Sequence, residues 1–259
     1  MNEDLIATLG RFTALSNLTR EEIAKFVGNK KTVLVPDGTT LLLQSERPRF
    51  VYFLLSGLVV VYRRLKDDRQ GSGRDFRAIP LGFLREPHIL GEIELLVPSS
   101  TYIATVRTVT SVEVLKITVN EFLDLTPKLG PNLSKSLCEK VAQAVTFSET
   151  TALTPKLNAM LNVIDLYAST LGIEEDDKGF IDIDKALKPS RVGKLADCGK
   201  PHRKKFFEEI ASKGCLIYTG PPGDKFEESY KINLGASRAH VEKRRQGKRK
   251  NKEHQDEEW

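Results

Sequence analysis

Apolar positions change period twice along the chain, and those changes divide it. Over residues 4–26, "DLIATLGRFTALSNLTREEIAKF", apolar residues recur at helical spacing and break at "ALSNL". They resume behind Thr19, which precedes Glu22 by three residues in a capping-box pattern. Two short helices are predicted. From Thr32 to Ile117 the pattern becomes short β-rich runs, "TVLV", "TTLLL", "FVYFLL", "LVVVYRR", "YIATVRTV" and "VEVLKI", punctuated by "PDG", "SG", "DDRQGSG" and "PSS". Strands of this length and spacing predict a sandwich or barrel. After Val119 the helical period returns and sets Leu133, Leu137, Val141, Ala144, Val145 and Ser148 along one stripe of a long amphipathic helix. Such a stripe serves either the chain's own core or a dimer seam. Thr154-Pro155 ends the helix, because proline lacks the N–H and pushes its predecessor out of helical geometry, which puts a hinge at about residues 149–155.

Beyond the hinge, "PKLNAMLNVIDLYASTLGI" is again helical and "EEDDKGF" reads as a solvated loop. A short strand, a helix at about 189–196, a turn from Asp197 to Gly199 and a second helix at about 201–213 follow. Two strands, "CLIYT" and "SYKINL", flank "GPPGDKFEE". The last residues, 237–259, set a basic block beside an acidic one with little to bury, and are expected to be disordered.

Composition adds three exclusions. No apolar run approaches the length of a membrane span, and the start "MNEDLIATLGRF" carries acids where a secretory signal carries bases, so a cytoplasmic protein without a membrane partner is expected. Cys138, Cys198 and Cys215 are odd in number and far apart, which fits neither a disulfide framework nor a metal site. His88, His202, His240 and His254 are scattered with no nucleophile–base pair or metal spacing, so no enzyme is expected. The charge is uneven. Residues 181–259 hold 19 Lys/Arg against 13 Asp/Glu, whereas residues 1–180 hold 21 against 22. A basic C-terminal region on a near-neutral body is the electrostatic footprint of a nucleic-acid binder.

Two groups of residues carry candidate chemistry. Helix, short turn, second helix and β-wing form a geometry that places one helix in a DNA major groove. The second helix opens "GKPHRKK", and Lys200, His202, Arg203 and Lys205 are candidates for phosphates or base edges. Gly199 is expected to supply an unusual backbone angle, and Pro201 suits a first helical position. Val192, Leu195, Ala196, Phe206, Phe207 and Ile210 would hold the two helices together. The plain alternative is a solvated helix face. The other group is "GEIELLVPSSTYIATVRTVTSVEVLKI", residues 91–117, where a glycine and an acid at a turn beside a β-sandwich can present backbone N–H groups to an anion. On its own that arrangement is equally a structural corner.

The order of parts over residues 4–235 resembles the Crp/Fnr family of bacterial transcription regulators. "VPDGTTLLLQSERPRFVYFLLSGLVVVYRR" and "HILGEIELLVPSSTYIATVRTVTSVEVLKI" look like its β-roll, with Gly38, Gly57, Gly91 and Glu92 at matching turn and pocket positions. "LKPSRVGKLADCGKPHRKKFFEEIASKGCLI" looks like its helix-turn-helix. The resemblance implies an α+β fold: a jelly-roll β-sandwich domain over 1–125, a dimerisation helix and hinge over 126–154, a winged helix-turn-helix domain over 155–236, and the tail. It implies double-stranded DNA, a second copy of the chain and RNA polymerase as partners. It places Glu92 where the family's acid holds the ribose hydroxyl, Lys200 and Lys205 on the recognition helix, and Pro189 and Ser190 where the first helix meets the DNA backbone. It also makes the leucine stripe a dimer interface.

This chain departs from that pattern where the effector's charge would be met. Cyclic-AMP-binding members carry an arginine that pairs with the cyclic phosphate, one intervening residue before the "A-x-V-R" segment; here the position is Tyr102, followed by Ile103. A neutral phenol cannot replace a bidentate guanidinium. Cyclic AMP is therefore not the expected effector, and the pocket, with Gly91, Glu92, Ile93, Tyr102 and Ile103, takes a non-standard one such as a cyclic dinucleotide, or none. Arg107, five residues along a strand from Tyr102, is expected on the opposite face, leaving Arg85 and Arg77 as anion partners. Within the recognition helix, Pro201 and Arg203 stand where many members have a glutamate and an inward apolar residue, so a different sequence preference follows. The alternative reading is a nucleotide-sensing module that signals through a protein partner instead of DNA.

Overall fold

The structure is a computed structural model that describes residues 3–66, 76–96, 101–152, 156–196, 198–219 and 229–243. The chain forms two compact units that divide between Glu149 and Thr150.

The first unit opens with helices α1 (Glu3–Leu9) and α2 (Arg20–Val27). The capping box is present: Thr19 Oγ1 accepts from the Glu22 N–H at 3.2 Å and the Glu22 carboxylate accepts from the Thr19 N–H at 3.0 Å. Eight strands follow, β1 (Thr32–Val35), β2 (Thr40–Leu42), β3 (Phe50–Ser56), β4 (Leu58–Lys66), β5 (Phe76–Arg85), β6 (His88–Leu90), β7 (Thr105–Thr108) and β8 (Val112–Thr118). They pair antiparallel in two four-stranded sheets, β1-β8-β3-β6 and β2-β7-β4-β5. Strand β3 reads as an uninterrupted apolar run because both of its faces are buried. Val51, Phe53 and Leu55 point to the helices, where Phe53 meets Phe12 and Phe122, while Tyr52 and Leu54 point between the sheets toward Val59, Val106 and Val114.

Helix α3 (Val119–Ala152) completes this unit. It begins at Val119, where the helical period returns, behind a second capping pair of Thr118 and Glu121 at 2.8 and 3.3 Å, and so takes in residues 119–125 from the expected first domain. It is also broken at Gly130 (φ 54°), ahead of Pro131, and Asn17 Nδ2 donates to the Leu129 carbonyl at 3.3 Å beside that break. The leucine stripe has a different destination from the dimer seam expected of it. Leu125, Leu129, Leu133 and Leu137 are buried in the chain's own core against α1, α2 and Ile89. Of the remaining stripe, Val141 is 47% exposed, and the side chains of Ala144, Val145 and Ser148 lie outside the described residues.

The second unit contains α4 (Lys156–Leu171), β9 (Ile181–Ile183), α5 (Pro189–Leu195), α6 (Lys200–Ser212), β10 (Leu216–Tyr218), β11 (Tyr230–Ile232) and a last helix α7 over 234–243. The three strands form one antiparallel sheet in the order β10-β11-β9. Met160, Ile164, Val192, Phe207 and Tyr230 are buried side chains of its core; Tyr230 donates its hydroxyl to the Leu187 carbonyl at 3.2 Å. The expectation of a disordered tail from residue 237 is corrected by α7. Leu234, Ser237 and Val241 fall on one buried face, and Arg238 donates to Asn162 Oδ1 and Asp165 Oδ2 of α4 at 3.0 and 2.7 Å. Residues 244–259, the wing tip over 220–228 and Asp197 lie outside the described residues.

Candidate functional site

The inner face of the β2-β7-β4-β5 sheet, the segment from Ile89 to Glu94 and one turn of α3 enclose a cavity of about 290 Å³. Gly91 is part of its lining. With φ at 86° a left-handed conformation is required there, and a Cβ would sit 3.2 Å from both the Phe50 carbonyl and Leu42 Cδ1. The next residue, Glu92, is 2% exposed and reaches Lys140 Nζ of α3 at 2.5 Å; the same ammonium donates to the Ile89 carbonyl at 2.6 Å. Both side chains of the pair are under a tenth exposed, so each charge compensates the other's loss of water. Glu94 is also buried and accepts from the Ile103 N–H at 3.0 Å. Burial raises its pKa above the ordinary carboxylate value, and the neighbouring Glu92 adds to that.

Tyr102 does not face this cavity. It lies before β7, so alternation along a strand does not govern its direction, and its ring packs against Gly91. Its hydroxyl donates to the Phe50 carbonyl at 2.8 Å and accepts from the Arg49 N–H at 3.3 Å, and its backbone pairs with Ser45 and Glu46. It braces the 45–50 segment. Burial raises its pKa further above the ordinary phenol value, which keeps it neutral. Arg107 is turned to the Gly38 carbonyl, with Nε at 2.6 Å. Arg85 is exposed and outside the cavity lining, and the side chain of Arg77 lies outside the described residues. Ile93 and Ile103 do line it. Sequence reasoning missed two cations of the site, Lys140 and Arg63. A lysine one turn past Leu137 on a buried stripe was the available signal for the first, and the two-residue step from Val61 to Arg63 on one strand for the second.

In the second unit α5, Ala196 to Gly199 and α6 make a two-helix motif beside the three-stranded sheet. Its expected apolar contacts are all buried: Val192, Leu195, Ala196, Phe206, Phe207 and Ile210. Gly199 holds an ordinary extended conformation (φ −62°, ψ 156°), which corrects the expected unusual angle; Pro201 occupies the second helical position. Lys200, His202 and Lys205 are exposed on the first turns of α6, and Lys204 lies 3.8 Å from Glu208. Arg203 is turned inward. Its stem crosses Gly193 of α5, where a Cβ would meet Arg203 Cδ at 2.4 Å, and Nη1 donates to the Ser190 carbonyl at 3.1 Å. Its Nε is buried without a hydrogen-bond partner. Pro189 and Ser190 are themselves buried, so neither stands on an open face of the motif. Among the described residues no cluster of three metal-ligating side chains occurs, and no helix is long and apolar enough to cross a membrane.

Residues 32–128 match the family model of the cyclic nucleotide-binding domain. Three solved structures share the fold. The c-di-GMP responsive global regulator CLP of Xanthomonas campestris is 16% identical, with 76% of this chain and 94% of that one covered at a TM-score of 0.60. A CRP/FNR family transcriptional regulator of Thermus thermophilus is 19% identical, with 82% and 98% covered at 0.57. FixK2 of Bradyrhizobium japonicum is 10% identical, with 81% and 96% covered at 0.55. The chain thus carries a cyclic nucleotide-binding domain and has the fold of the Crp/Fnr regulators, as the resemblance implied. These neighbours include transcription regulators, not enzymes. By sequence, no curated protein matches the chain. Glu92 lies inside the matched domain and Lys140 beyond it.

Proposed function

We propose that the chain is a homodimeric, sequence-specific DNA-binding transcription regulator of the Crp/Fnr type whose effector is not cyclic AMP. The observation that carries the DNA reading is the division of labour on α6. Arg203 braces the motif from within, while Lys200, His202 and Lys205 stay exposed at the end of the helix that enters a major groove in such folds. The effector reading rests on the Glu92–Lys140 pair: the acid that would accept a ribose hydroxyl is already bound, and Tyr102 brings no charge to a phosphate. A cyclic dinucleotide would meet the same closed acid. RNA polymerase belongs to this reading as the partner of a DNA-bound dimer.

Selection of operator sequences from a random pool, followed by footprinting at two salt concentrations, tests it. A roughly palindromic site should emerge. The double variant K200A/K205A should lose at least tenfold in affinity for it, since each cation lost from a phosphate or guanine contact costs about 1–3 kcal/mol. It should also show a shallower salt dependence. Weak binding that is uniform across sequences and indifferent to both substitutions would sink the reading and favour a module that signals through a protein partner.

A further inference from the structure

Polar groups are unevenly placed around the cavity of the first unit. At the inner end Glu92 and Lys140 satisfy each other, and Glu94 is turned to the Ile103 N–H. The walls are aliphatic, from Leu42, Val61, Leu84 and Val106. The mouth lies where Ile103 and Val141, both about half exposed, border it. Arg63 is the exposed cation there, carried by β4 two residues beyond Val61 and so on the same face of the strand.

We infer that this cavity binds a small organic monocarboxylate with an aliphatic body, its tail toward the Glu92–Lys140 end and its carboxylate at Arg63. This rests on the proposed function only in taking the cavity as the effector site. Charge fixes the orientation. At the inner end the one ammonium is already held by Glu92, so an anionic head finds no free cation there and meets one at the mouth. Size fixes the class. At about 290 Å³ the cavity lies at the small end of small-molecule sites, about 300–1,000 Å³, and does not enclose a cyclic dinucleotide. The apolar lining favours an alkyl chain over a ribose, whose hydroxyls would lose water without gaining partners. An occupant in this orientation touches Lys140 and Val141, and so contacts α3 directly.

Calorimetric titration of the full chain with sodium octanoate, 1-octanol and cyclic AMP tests the assignment, repeated on R63Q and on R64Q, whose side chain alternates to the other face of β4. Octanoate should bind once per chain and at least tenfold more tightly than octanol. R63Q should weaken octanoate about tenfold, the size of one charge-assisted hydrogen bond, and leave octanol unchanged, while R64Q should change neither. Equal binding of octanol and octanoate, undiminished octanoate binding by R63Q, tighter binding of cyclic AMP, or no octanoate binding at millimolar concentration would each overturn it. None of these measurements involves DNA. Failure of the octanoate arms therefore leaves the regulator reading standing, whereas tight cyclic AMP binding would also overturn its effector half; a chain that binds octanoate but no operator leaves this one standing.

Discussion

Glu92 is bound by a residue outside its own matched domain. Its carboxylate sits where the family resemblance places a ribose acceptor, yet Lys140 reaches it from α3 and excludes water from both. A buried pair of this kind is weak support for stability as a whole but costly to break by halves, because the survivor is left charged and unpaired. Removing either member alone should therefore cost about 3 kcal/mol or more. In urea unfolding, K140M and E92Q should each lower stability by that order, and K140M/E92Q should lose clearly less than the two single losses combined. Additive losses would show that the pair is not coupled.

At the level of elements, α5 and α6 are held together by a contact no residue pattern announces. Gly193 leaves the space that the Arg203 stem crosses, and the guanidinium reaches the Ser190 carbonyl. G193A should displace Arg203 and cost about 1–3 kcal/mol through overpacking. R203A placed in the same background should return part of that loss in thermal unfolding, because an alanine stem clears the new methyl. A G193A chain that R203A makes worse would contradict the crossing. Strands β3 and β4, the caps at Thr19 and Thr118, each with its glutamate three residues on, and the apolar face of α5 and α6 depend on neighbours near in sequence or on a simple period and are legible from it. The direction of Arg203 depends on the absence of a side chain at Gly193, and that of Tyr102 on the Phe50 carbonyl, 52 residues away. Short-range patterns hold no record of such partners. The α7 correction has the same cause, since Arg238 is fixed by Asn162 and Asp165.

For the whole molecule, the burial of Leu133 and Leu137 within one chain moves the proposed dimer seam around α3. The residues this leaves outward on consecutive turns are Ser134, Cys138 and Val141, all exposed and spaced by four and three. Two copies of α3 packed in parallel along this line would put each residue opposite its own counterpart, as a two-fold axis requires. Cys138 then becomes a reporter, because a disulfide forms only when the two Cβ atoms come within about 4.5 Å. Cys198 and Cys215 are buried and should not contribute. Mild oxidation of dilute full-length chain should give a covalent dimer that C138S abolishes and that C198S and C215S leave intact. Sedimentation should show C138S still dimeric, since the thiol reports the seam without building it. A dimer that never cross-links through Cys138 would place the seam on another face of the helix, and a monomer at micromolar concentration would remove the two-fold geometry on which a palindromic operator depends.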